Sequence, residues 1–144
     1  MANYCCTVRT NYFHVKNEDD FRSKMSCVLG CEDSIELWKK TDEDGKSIFG
    51  FGVYGGILGF SDSSSDEFDE VKAYEDFIKY LQESVSDDDA VIILESGNEK
   101  MRYVVGSATV ITSSEIKTIN ITELAIEKAR DILNNPLWKT RCEY

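Results

Sequence analysis

The chain holds a single proline, a single histidine and no apolar run that approaches the roughly 18 residues a membrane span needs. One Pro and nine Gly in 144 residues exclude a collagen-like or linker-rich protein. The opening Met1-Ala2-Asn3-Tyr4 lacks a basic region followed by an apolar one, so no signal peptide is expected and the reading is cytoplasmic, with no membrane partner. The catalytic and phosphate-binding patterns G-x-S-x-G, H-E-x-x-H and the P-loop are missing. A lone histidine, His14, leaves little for imidazole acid–base chemistry. No cofactor and no catalytic residue is therefore expected, and the chain reads as a binding protein ahead of an enzyme. Basic residues are also scarce, 16 against 27 acids, and a formal charge of −11 opposes the counterion release that drives direct binding to DNA or RNA.

What is present is enough apolar material, 42% of residues with 11% aromatic, to build a core in one domain spanning 1–144. Five cysteines, an odd number, fit thiols in a reducing compartment. Cys27 and Cys31 have tolerable zinc spacing, but the adjacent Cys5 and Cys6 on a strand point to opposite faces, so no metal site is expected.

The pattern along the chain predicts β-α-β-β-α-β-β-α. Residues 4–15 read as a strand. Asn17 caps a helix with Phe21, Met25, Val28 and Leu29 on one face and Gly30 at its end. Strands at 34–40 and 47–54 flank a polar turn, and in the second Gly50 and Gly52 alternate with Phe49, Phe51 and Val53. That leaves one face bare, so a neighbour should lie close against it. After a loop over 55–65, a helix is expected over about 66–85, with Ser64 and Glu67 at capping-box spacing. Its stripe includes Val71, Tyr74, Phe77, Ile78, Leu81 and Val85. A second hairpin pairs 90–95 with 101–112. A last helix, capped at Asn120, carries Ile121, Leu124, Ala125, Ala129, Ile132 and Leu133 on one face. The fold class is α+β: a mostly antiparallel sheet of about five strands with three helices on one face.

The charge is uneven. Residues 62–89 contain eleven acids and two lysines, a net −9. Part of this is ordinary helix support, because Asp69, Lys72, Asp76, Lys79 and Glu83 alternate in sign at i+3 and i+4 spacing. The unneutralised remainder lies at the two ends, and Asp62, Asp66, Glu67, Glu70, Asp87, Asp88 and Asp89 are the candidate partner-binding residues. Carboxylates spaced like phosphates compete for the Lys/Arg grooves that grip nucleic-acid backbones. The alternative site is the glycine-rich stretch 50–59, with Gly50, Gly52 and Tyr54 as ligand-binding candidates; Gly50, Gly52 and Gly55 match G-x-G-x-x-G by letter, though within a strand. A third reading is a dimeric adaptor joined through a strand edge. Trp38, Tyr54, Phe60 and Trp138 are candidate aromatic anchors.

Four segments, YCCTVRTNYFHVK, FGFGVYGG, ESGNEKMRYVVGSATVITS and NNPLWKTRCEY, together about a third of the chain, resemble small acidic proteins of phages and mobile elements of Gram-positive bacteria. In that setting the class of similar size and charge is the anti-defence inhibitors, anti-CRISPR and anti-restriction proteins. The resemblance implies a non-enzymatic inhibitor in the host cell cytoplasm whose partner is a host nuclease or CRISPR effector. It carries over no functional residue.

Overall fold

The computed structural model describes residues 4–61 and 69–142. Three helices and eight strands follow in the order β1 (Cys5–Thr10), α1 (Glu18–Met25), β2 (Val28–Gly30), β3 (Glu36–Thr41), β4 (Ser47–Tyr54), β5 (Ile57–Phe60), α2 (Glu70–Ser84), β6 (Val91–Glu99), β7 (Tyr103–Ile111), β8 (Ile116–Asn120) and α3 (Ile121–Leu133). Six strands form one antiparallel sheet in the order β3-β4-β1-β6-β7-β8, and β2 pairs with β5 apart from it. The α+β class and the large antiparallel sheet hold, but among the described residues that sheet has six strands rather than about five, and the separate β2–β5 pair brings the total to eight.

Three elements account for the difference. Val28 and Leu29 do not extend α1; they form β2, in which Val28 is buried and Leu29 exposed. The helix stops at Met25 because Val28 and Gly30 find backbone partners in β5, at Phe60 and Ile57. The stretch read as a loop after Gly55 therefore contains a strand. Gly59 in it has φ +124°, and α2 lies so close that an added Cβ would stand 2.2 Å from the Ala73 carbonyl oxygen. The third missed element is β8, whose five residues are all exposed and show no inside–outside alternation.

The second hairpin is also longer than expected. Ser96 to Glu99 continue β6 rather than turning, because β1 runs alongside and pairs Cys5 with Asn98 and Cys6 with Gly97. The helix α2 begins at Glu70, later than expected. Its N-cap is Asp69, whose carboxylate accepts from the Val71 and Lys72 amides at 3.1 and 3.2 Å. Ser64 and Glu67 of the expected capping box lie outside the described residues.

The core lies between the inner face of the sheet and helices α1 and α2. Phe13, Phe21, Phe49, Phe51 and Phe77 are fully buried with Leu81, Val85, Val91 and Ile111. Several of their rings meet edge to face, such as Phe13 on Phe21 at 5.7 Å and Phe51 on Phe77 at 5.7 Å. Each buried phenylalanine contributes roughly 1.5–3 kcal/mol of transfer free energy. The third helix is elsewhere. Strand alternation puts Gly106 on the face opposite Ile111, and Ile121 of α3 sits against Gly106. The helices thus divide two and one across the sheet, rather than three on one face. Only Ile126 of α3 is buried.

Candidate interaction surface

His14 follows β1 at the end of the sheet where the β3–β4 turn and the α2–β6 loop arrive. Its Nε2 lies 2.6 Å from Asp42 Oδ2, in the turn, and its Nδ1 lies 2.7 Å from Asp89 Oδ2, in the loop. The His14 backbone N–H also donates to Asp89 Oδ2 at 2.8 Å. Both ring nitrogens face carboxylates, so the doubly protonated imidazolium, with two donors, suits the site best. Hydrogen bonds to Asp42 and then Asp89 raise the His14 pKa above its ordinary value, against a smaller opposing effect of burial. The same His14 bond holds the Asp42 carboxyl below the usual range, helped by the Lys46 and Asp44 backbone amides. Burial pushes Asp89 up, but bonds from the His14 backbone and ring and the Ala90 amide outweigh it, and its net shift is down.

This clasp gathers acids that are distant in sequence. Asp42, Glu43 and Asp44 come from the turn, Asp87, Asp88 and Asp89 from the loop. A groove of about 590 Å³ opens beside them, lined among others by His14, Lys16, Glu18, Asp44, Lys46 and Asp88. Glu18 begins α1, whose first turn adds Asp19 and Asp20. Several of these acids are engaged: Asp87 with Lys16 at 3.3 Å, Glu18 with Lys39 at 2.6 Å, and Asp20 with the Tyr80 hydroxyl at 2.9 Å. Among the described residues, no cation lies within ion-pair distance of Glu43, Asp44 or Asp88.

The sequence-derived candidates are thereby separated. Asp87, Asp88 and Asp89 share this end, with Asp89 spent on the clasp. Glu70 is exposed in the first turn of α2, at the other end of a 15-residue helix and so roughly 21 Å away. Asp62, Asp66 and Glu67 lie outside the described residues. The contributions of Asp42–Asp44 and of the first turn of α1 are not marked in the acidic run. Their signal is His14 itself, the one imidazole, which needs partners for two nitrogens.

The glycine face of β4 has its expected close neighbour, and it belongs to the chain. A Cβ at Gly52 would stand 2.7 Å from the Trp38 ring, and one at Gly50 would stand 3.5 Å from the Tyr12 ring. Arg9 stacks over Trp38 at 5.0 Å and Lys40 over Tyr12 at 4.3 Å, so each ring is capped by a cation. Tyr54 is exposed on the same face. No helix opens after Gly55; the strand β5 does. Phe60 packs on Phe77 and Tyr80 as part of the core rather than as an anchor.

Cys6, Cys27, Cys31 and Cys142 are free thiols. Among the described residues no group of three or more His, Cys, Asp or Glu is placed to hold a metal ion, and no helix is long and apolar enough to cross a membrane. Compared with protein-family models, curated proteins and solved structures, the chain matches none.

Proposed function

We propose that the protein is a non-enzymatic inhibitor that sets its acidic end against a basic groove of a host nucleic-acid-dependent defence enzyme, a CRISPR effector or restriction nuclease. The observation that carries this reading is the convergence of the Asp42–Asp44 turn and the Asp87–Asp89 loop on His14, which leaves Glu43, Asp44 and Asp88 exposed with no cation at ion-pair distance among the described residues. The clasp fixes the backbone of both segments, so their carboxylates need little ordering on binding. A groove built to grip phosphates offers lysine and arginine at similar spacing, and opposite fields speed encounter. The resemblance to small phage-encoded acidic proteins names the class of partner. This reading keeps Asp88 from the candidates at the two ends of the acidic run and adds Glu43 and Asp44 from the β3–β4 turn.

The test is competition with duplex DNA for a purified CRISPR effector and for a purified restriction nuclease, at several salt concentrations. The wild-type chain is expected to displace DNA from one of them, less effectively as salt rises. The triple variant Glu43→Lys, Asp44→Lys, Asp88→Lys is expected to compete at least tenfold less well with an unchanged circular dichroism spectrum. Competition that survives the triple charge reversal undiminished removes this surface as the site.

A further inference from the structure

We infer that β8 is the seam of a homodimer, in which two copies join their sheets antiparallel across a twofold axis at Thr118. The two edges of the six-stranded sheet differ in how they are guarded. The β3 edge carries Glu36, Lys39 and Lys40, the charges that ordinarily discourage edge pairing. The β8 edge, IKTIN, has one charge and no proline, and all five residues are exposed. Among the described residues it has no second neighbour.

Its backbone is set for pairing. The Thr112 amide donates to the Glu115 carbonyl at 2.8 Å, which turns that carbonyl toward β7. Antiparallel alternation then directs the N–H and C=O of Ile116 and Thr118 outward, and those of Lys117 and Ile119 inward to β7. Both faces beside the edge are incompletely covered. On the α2 side, an apolar groove of about 500 Å³ is lined by Tyr74, Ile78, Ile116 and Thr118, with Glu75 and Lys79 at its rim. On the other side Leu94, Ala108 and Ile119 form a cross-strand row, with Leu94 52% and Ile119 41% exposed.

Self-complementarity identifies a second copy as the occupant. With the axis at Thr118, the two Thr118 backbones exchange both hydrogen bonds and their side chains form a Thr–Thr pair. Ile116 then faces the copy's Asn120, and Lys117 falls beside the copy's Ile119 rather than against its own image. Glu75 and Lys79, one helical turn apart on α2, line the groove beside this edge and carry opposite charges. The charge about this edge is balanced, Glu75 and Glu115 against Lys79 and Lys117, in a chain whose formal total is −11. This balance makes β8 the place where two such acidic chains can approach.

Sedimentation equilibrium of the full chain at tens of micromolar is expected to give the mass of two chains. Thr118→Pro removes only an outward N–H, which the single chain does not use, and is expected to sediment as one chain. Thr118→Lys sets two ammonium groups against each other at the axis and is expected to weaken association at least tenfold, more so at low salt. Both variants are expected to keep the wild-type circular dichroism; should the proline variant not fold, the lysine variant decides. A wild-type chain that sediments as a monomer, or a folded Thr118→Lys that dimerises like the wild type, overturns the proposal.

Discussion

The two long helices look alike in sequence and are used differently. Both α2 and α3 have a clear apolar stripe and an Asx N-cap that accepts from two backbone amides. The stripe of α2 sinks into the core along its C-terminal part, where Phe77, Leu81 and Val85 are fully buried, while Val71 in its first turn is exposed. That of α3 does not: Ile121, Leu124 and Ile132 are 61%, 45% and 84% exposed, and Ile126 alone is buried. Stability is thus concentrated in the half built by α1, α2 and the inner sheet face. The half containing β8 and α3 keeps apolar surface in water. Amphipathic periodicity states that a helix has a face to cover, and leaves open whether its own chain covers it.

The largest effect that tests this contrast is a pair of truncations. Phe77→Ala opens a cavity among Phe51, Phe60 and Tyr74 and is expected to cost about 3–5 kcal/mol. Ile132→Ala removes a side chain already in water and is expected to stay within about 0.5 kcal/mol. Urea unfolding followed by far-ultraviolet circular dichroism measures both. Equal losses at the two positions would dissolve the distinction between the halves.

The same contrast explains which elements were legible. The α2 stripe was readable where its period matches what the fold buries, at Phe77, Leu81 and Val85, though not at Val71, and Asn17 and Asn120 were readable as caps because Asx before an apolar-periodic run has a local cause. The short strands were not. Three residues in β2 and four in β5 are too few to show alternation, and their pairing joins segments about thirty residues apart. Gly59 and Gly97 read as loop and turn residues, yet each is a close approach, the first to the Ala73 backbone and the second to the Cys5 carbonyl at 2.6 Å from an added Cβ. Of the candidate site, the acidic run showed that charge is concentrated, but its net sign cannot tell a carboxylate tied by His14, such as Asp89, from an unpaired one, such as Asp88. That distinction arises from contacts between residues 14, 42 and 89, which no local pattern encodes.

A smaller effect, specific to the acidic end, follows from His14. A raised folded-state pKa means that the histidine contributes stability fully below its unfolded value of about 6.5 and loses it as pH rises through the folded value. Asp42 and Asp89, with lowered values, contribute above about 3.9 and lose that contribution as pH falls through their folded values. The clasp is therefore strongest between about pH 4 and 6.5. His14→Gln keeps a polar side chain but no charge. Its melting temperature is expected to fall furthest below the wild type near the middle of that window, with the gap closing toward alkaline pH and toward strong acid. A gap that stays constant across the pH range would mean that His14 acts by packing alone.

The smallest effect compares the two caps. Asp69 and Asn120 do the same chemistry, each accepting from two amides of the first helical turn, and replacing either by Ala costs about 1 kcal/mol of helix stability. Where that loss appears depends on how firmly each helix is tied to the core. In α2 the helix and the core unfold together, so Asp69→Ala is expected to lower the global melting temperature. In α3 one buried isoleucine is a weak tether, and the helix can open while the sheet stays folded. Asn120→Ala is therefore expected to speed hydrogen exchange of the amides at 121–133 severalfold while moving the melting temperature less than Asp69→Ala does. If both variants lower the melting temperature equally and exchange at 121–133 stays slow, α3 belongs to the same cooperative unit as the core, and its exposed stripe is not the mark of a weakly held helix.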